Sequence, residues 1–200
     1  GGWEAVVSFV NPAMAKDIKR LAKEAQWFED RMPWDPKFRK KKVRGITANA
    51  ITVIMETGDS GPMSPIGINL PNEADIRRDY GSKSVNLSNV VAGYNAGRSG
   101  GGALAEFVWV PAEIDRAKKY AAHAGDVHTN LHEVVGHASG QIMPEIKNPA
   151  QRLGRYYSTL EEGRADLIGL YWIIDPKLQK MGIIPNADAA LAEYEGYARN

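Results

Sequence analysis

Six residues in the second half of the chain have the types and spacing that metal-assisted hydrolysis needs. His132-Glu133-Val134-Val135-Gly136-His137 sets two imidazoles beside a carboxylate, and Glu161-Glu162-Gly163-Arg164-Ala165-Asp166 supplies three more acids after a loop. A hydrolytic zinc takes three protein ligands and keeps a fourth position open for water. Two histidines from one helix and a carboxylate from the next fill that set, and a glutamate beside the first histidine can take the water's proton. The expected ligands of one Zn2+ per chain are His132, His137 and Glu162, with Glu133 as the base. Glu161 and Asp166 are expected to accept hydrogen bonds from the far ring nitrogens of the histidines, fixing tautomer and orientation. The chain has no cysteine, which leaves any metal to His, Asp and Glu and excludes disulfides.

The spacing makes a structural demand. Histidines four apart lie about 40° apart around a regular helix, whereas five apart gives about 140°. His132 and His137 are five apart and would diverge. A one-residue π-bulge absorbs such an insertion, and Gly136 is the permissive residue in place for it. A bulge or loosened turn is therefore expected between Val134 and His137. Two rival readings stay open on the residues alone. His128 and His132 are four apart and converge without distortion, although no carboxylate is then placed as Glu133 is. The acids of the second motif could instead lie on a capped surface helix, paired with Arg155 or Arg164.

The elements that must position these groups are mostly helical after Pro111: residues 112–122, 127–139 with Asp126 as N-cap, 156–174, and a last segment after Pro185. Upstream, residues 3–10 read as a strand ended by Asn11-Pro12. Met14, Ile18, Leu21, Ala25 and Phe28 then form the apolar stripe of a helix that stops before Pro33. Residues 37–44 are strongly basic and read as a solvated connector. Residues 51–55 continue as strand or as a buried helix end. Residues 66–70 read as a short edge strand, because Pro71 cannot donate to a ladder. Residues 97–102 (GRSGGG) read as a flexible loop without the Lys-Ser/Thr ending of a phosphate-binding loop, which discounts nucleotide binding. The fold class expected is α+β and mostly helical.

At 44% hydrophobic and 24% charged residues, the 200-residue chain suits one core or two lobes of a globular protein. A net charge of +1 gives no push toward nucleic acid or anionic membrane. No apolar run is long enough to span a bilayer and no signal peptide is visible. A cytoplasmic location is expected. The chain opens on Gly1-Gly2-Trp3-Glu4 without Met and reads as a piece of something longer.

The six-residue motif with its extra Gly136, together with the stretch from Glu161 to Asp166, resembles the dipeptidyl peptidase III family of zinc exopeptidases. Further similarity lies in Gly67-Ile68-Asn69-Leu70-Pro71-Asn72, in Ile76-Arg77, in Gly81-Ser82-Lys83-Ser84-Val85, and in Trp3-Glu4 and Phe9-Val10-Asn11. The resemblance runs along nearly the whole chain. It departs at Gly163, where many members have Cys, and in a connector from His137 to Glu162 that is short beside eukaryotic members and suggests a bacterial form.

The resemblance implies two lobes around a cleft, with residues near 13–55 and 100–200 in the helical zinc lobe and about 56–99 in a strand-rich, substrate-binding segment. Whole members are several times longer than this chain. The resemblance also implies that segments upstream and downstream complete the substrate site, and that the fragment alone is inactive. Asn69 and Asn72 would hold the amino end of a short peptide, whose backbone would add to the edge strand at residues 66–70. Turn chemistry beside Pro71 is the plainer role for the two asparagines. The reaction implied is hydrolysis of the second peptide bond from the amino terminus, Glu133 activating a zinc-bound water. The alternatives are a zinc endopeptidase or aminopeptidase, and a non-catalytic peptide-binding zinc domain.

Overall fold

β-branched and aromatic runs in the first half of the chain pair into one sheet, described here from a computed structural model. It describes residues 3–12, 15–43, 47–59, 64–70, 76, 79–81, 83–99, 102–146 and 148–199. Strand β1 (Glu4–Val10) pairs antiparallel with β2 (Thr47–Gly58), with a register shift between Val7 and Ser8. Strand β3 (Gly67–Leu70) pairs antiparallel with β4 (Lys83–Leu87), which runs parallel to β2. The order is β1-β2-β4-β3, so β3 lies at an edge as its sequence predicts. Residues 51–55 belong to a strand, not to a helix end, and β2 carries the sheet across residue 56 without a break.

Helices cover the sheet and supply most of the core. The apolar stripe of residues 14–28 forms two helices, α1 (Ala15–Lys23) and α2 (Ala25–Glu29), broken at Glu24. The break lets both Trp27 and Phe28 meet Trp172, the first tilted with ring centroids 5.6 Å apart and the second edge-on at 5.1 Å. Helix α3 (Ser88–Ser99) corrects the start of the loop expected at residues 97–102, since the helix runs through Gly97 to Ser99; residues 100 and 101 lie outside the described residues. Its first turn is fastened to β2, where Asn89 bonds both the N–H and the carbonyl of Val53 at 2.9 Å. With the nucleus formed in this way, propagation through a glycine costs only about 1 kcal/mol.

After α4 (Ala103–Phe107), helix α5 (Pro111–Leu131) starts with Pro at its first turn. It continues unbroken through Asp126, which is therefore mid-helix and not an N-cap. Residues 121–125 contain only Ala, His and Gly, none of which stops a helix that is packed on both sides. Helices α6 (Pro149–Leu153), α7 (Tyr157–Ile173), α8 (Pro176–Lys180) and α9 (Ala187–Arg199) complete the chain. Fully buried Phe28, Leu131 and Ile173 lie at the centre, where α2, α5 and α7 meet.

The basic segment is not simply solvated. Arg39 donates to the carbonyls of Asp30 and Trp34 at 2.8 and 3.1 Å, and the Lys40 ammonium donates to the carbonyl of Ala138. Buried Glu29 accepts from the backbone N–H groups of Lys40 and Gly140. These bonds tie residues 29–40 to residues 138–141, immediately after His137. A carboxylate that accepts several backbone N–H bonds remains satisfied inside the fold.

Candidate metal centre

The geometry that the histidine spacing demands is present. The end of α5 passes into a π turn, His132–Gly136, and the N–H of His137 donates to the carbonyl of His132 at 3.0 Å, five residues back. The extra residue is absorbed there, and the two imidazoles meet edge to face with centroids 4.7 Å apart. Gly136 does more than tolerate the bulge. A Cβ on it would sit 2.8 Å from Cα and 2.9 Å from Cβ of Ala165, so only glycine lets α7 come this close. One turn before Ala165 on that helix stands Glu162.

The approach gathers the acids around the rings. Glu162 Oε2 lies 3.1 Å from His132 Nε2 and 3.7 Å from His137 Nε2. On the far side, His132 Nδ1 faces Asp166 Oδ1 at 2.7 Å and His137 Nδ1 faces Glu161 Oε1 at 3.1 Å. Each ring thus donates its Nδ1–H in a hydrogen bond to an acid, and both Nε2 atoms point at one place. Two imidazole nitrogens and a carboxylate oxygen form the donor set that suits zinc, and acids on the opposite nitrogens hold the rings in the required tautomer. The residues fit a divalent cation.

Glu133 also comes near. One of its oxygens and a ring nitrogen from each histidine lie within 4.8 Å of one another, so two carboxylates stand beside the pair. Their surroundings separate them. Glu162 is half-exposed and reaches both Nε2 atoms from another helix, whereas Glu133 is buried under the sheet. A Cβ on Gly67 would lie 2.3 Å from Glu133 Oε1, which places the carboxylate directly against the edge strand β3. Ser84 of β4 donates to the Glu133 carbonyl at 3.2 Å.

The charges follow from these contacts. Burial pushes the Glu133 carboxyl up, against the pull of His132 and His137. Glu162 is lowered by its bond to His132, and Asp166 by its bonds to His132 and Tyr197. For Glu161, burial opposes ionisation, but hydrogen bonds from His137 and Arg164 hold it far below the usual carboxylate range. For His132, burial disfavours the cation, yet Asp166 and Glu162 outweigh it and raise the ring to about 9.

His128 does not join the cluster. Its Nδ1 faces Glu193 Oε1 at 2.8 Å and its Nε2 faces the Asp166 carbonyl at 3.1 Å, so both nitrogens are committed elsewhere. The acids of the second motif are not merely a surface helix's partners for arginine. Arg164 does bind both oxygens of Glu161, at 2.7 and 3.0 Å, but the same guanidinium also reaches the Gly136 carbonyl at 3.1 Å and Ser139 Oγ at 2.9 Å. It closes the open end of the π turn. Asn69 lies in β3 opposite Ser84, its side chain outside the described residues, as is the whole of Asn72. The contacts of Tyr197, Gly67 and Glu29 were not legible in the sequence, because each acts across elements far apart in the chain.

Comparison with known proteins places this arrangement. The profile of peptidase family M49 matches residues 1–152. Dipeptidyl peptidase 3 of Homo sapiens is 29% identical over 221 residues, covering 94% of this chain and 28% of that protein. The Mus musculus protein of the same name is 28% identical over 218 residues, with the same coverage. Among solved structures, a dipeptidyl-peptidase III from Corallococcus sp. strain EGB superposes with a TM-score of 0.79 at 22% identity, covering 98% of this chain and 36% of its own. The DPP III of Caldithrix abyssi gives 0.76 at 20% identity, covering 98% and 37%. The fold is shared with both, and the chain spans little more than a quarter of the length of the curated relatives.

Proposed function

Because the chain belongs to peptidase family M49, we propose that it holds the metal and the base of a zinc dipeptidyl peptidase, which releases dipeptides from the amino terminus of short peptides. The observation that carries the reading is the convergence of His132 Nε2, His137 Nε2 and Glu162 Oε2 across a π turn, with Asp166 and Glu161 on the opposite ring nitrogens. His132, His137 and Glu162 are the ligands in this reading, and Glu161 and Asp166 orient the rings. The dipeptidyl specificity in this reading comes from the relatives, which are dipeptidyl peptidases.

A bound zinc supplies Lewis acidity, polarising the scissile carbonyl and lowering the pKa of water toward 7. The chain's own residues supply the proton path. Glu133, next to His132 and raised by burial, takes the proton of the attacking water and returns it to the leaving amine. The edge strand β3 offers its outer backbone for a peptide to pair with, and its Gly67 lies against Glu133, so such a peptide would pass beside the base. Asn69 and Asn72 would hold its amino end.

The test is Glu133→Gln in an active protein that contains this chain. Metal content should stay at one zinc per chain while turnover falls by at least about a thousandfold, as when an essential proton acceptor is lost. Wild-type turnover by that variant would end the assignment. Product analysis on an octapeptide then decides the reaction class. Successive dipeptides support this reading, single residues indicate an aminopeptidase, and internal fragments an endopeptidase.

A further inference from the structure

Each metal-directed histidine rests on an acid, and each acid needs something to hold it. For His137 the support comes from within the second motif: Glu161 accepts a hydrogen bond from the ring Nδ1–H, and the Arg164 guanidinium fixes both oxygens of Glu161. For His132 the acid is Asp166, and among the described residues no arginine bonds it. Its second oxygen is engaged from another helix. Tyr197 of α9 donates its hydroxyl to Asp166 Oδ2 at 2.9 Å, while Asp166 Oδ1 faces His132 Nδ1 at 2.7 Å.

From this geometry we infer that Tyr197 is a positioning residue of the metal centre, setting the rotation of the Asp166 carboxylate and through it the aim of His132. The inference rests on the zinc reading above. The physical need is plain: the Asp166 side chain is 35% exposed, so a carboxylate held by one bond alone could turn toward water and release the ring. A second, directed bond on the other oxygen removes that freedom at the cost of one tyrosine rotor.

The tyrosine is itself fixed. Its ring stands edge-on to His128, with centroids 5.6 Å apart and an interplanar angle of 74°. His128 bonds Glu193 on the same face of α9, one turn before Tyr197, and bonds the Asp166 carbonyl with its other nitrogen. Glu193 with His128, and Tyr197 with Asp166 and His132, thus form two successive rungs across α9, α5 and α7. The spacing of four between His128 and His132 matches the spacing of four between Glu193 and Tyr197. A further bond, from the Tyr194 hydroxyl to the Leu170 carbonyl at 2.5 Å, keeps α9 seated on α7.

The test measures Zn2+ affinity by competition with a chromophoric chelator for wild type, Tyr197→Phe, Asp166→Asn and the double variant, with the melting temperature of each metal-free protein alongside. Tyr197→Phe removes only the hydroxyl. It should weaken zinc binding by about tenfold, the low end of what outer partners of a metal-bound histidine command. In the Asp166→Asn background the same change should alter affinity less than about twofold, because the amide has one acceptor oxygen and cannot take the His132 Nδ1–H and the Tyr197 hydroxyl on two oxygens at once. The zinc-loaded protein supplies a second readout, since the NMR signal of the His132 Nδ1 proton should shift on Tyr197→Phe. Wild-type affinity in Tyr197→Phe overturns the inference, and so does an equal loss in the Asp166→Asn background, which would mark a general structural effect. A wild-type chain that binds no zinc overturns the metal reading and this inference with it.

Discussion

At the scale of single residues, the site depends as much on missing side chains as on present ones. Gly67 and Gly136 are both places where a Cβ would collide, but the collisions differ. At Gly67 the obstacle is the far end of a side chain, Glu133 Oε1 at 2.3 Å, which can swing away. Gly67→Ala should therefore leave the fold and the proposed metal ligands intact and displace the proposed base, Glu133, alone. A shift of about 1 Å in a reacting group can cost on the order of a hundredfold in rate. In an active protein that contains this chain, the proposed function predicts unchanged zinc stoichiometry, a melting temperature within a few degrees of wild type, and kcat/KM down by about a hundredfold. Full activity in this variant would mean that Glu133 works from a position other than the one against β3. Gly163 is the contrasting case. A Cβ there meets nothing within 4 Å, so the cysteine that the family resemblance leads one to expect at this position has open space for its Cβ.

At the scale of elements, the π turn and α7 act as one unit. At Gly136 the obstacles are backbone atoms, Ala165 Cα at 2.8 Å and its carbonyl oxygen at 3.0 Å, and these can move only if α7 moves. Gly136→Ala should push α7 outward and take Glu162 away from the two Nε2 atoms. Overpacking of this kind costs about 1–3 kcal/mol. A denaturation curve should show that loss together with at least about a tenfold drop in zinc affinity, and an unchanged affinity would show that Glu162 is not a ligand. Much of this unit could be read in advance. A spacing of five between histidines forces a bulge, and Glu162 and Asp166, one turn apart on one face, must play different parts. The element boundaries were less legible. Asp126 looks like an N-cap only until α9 packs along α5, and Gly97 looks like part of a loop only until Asn89 anchors the start of α3 on β2. The strand at residues 83–87 went unread because buried Ser84 and Asn86 conceal its inward face, their polarity being met by Glu133 and Asn130 across the interface. Local pattern reports periodicity, and contacts between elements dozens of residues apart leave no periodic trace.

At the scale of the whole molecule, α9 fastens the helical layer behind the metal centre through His128. Both ring nitrogens of His128 face acceptors, the Glu193 carboxylate and the Asp166 carbonyl, so the ring must carry two protons to satisfy them. Burial opposes that charge, but the bonds to Glu193 and to the Asp166 carbonyl prevail and raise its pKa. The groups facing the ring are Glu193 and Tyr197 from α9 and Asp166 from α7. Because the folded value lies above the unfolded one, of about 6.5, this contribution to stability is fully present below that pH. It is lost as pH rises through the folded value. Removing the partner acid should make the dependence visible. At pH 6, Glu193→Gln should destabilise the metal-free chain by about 1.5–3 kcal/mol, the range for a hydrogen bond to a charged group. In a chain of this size each 1 kcal/mol moves the melting temperature by roughly 2–4 °C. Between pH 6 and pH 9 the gap between wild type and variant should narrow, because the wild type alone has an ion pair to lose. A gap that stays constant or widens over that range would show that His128 is neutral in the folded chain, and that α9 is held by packing without the charge.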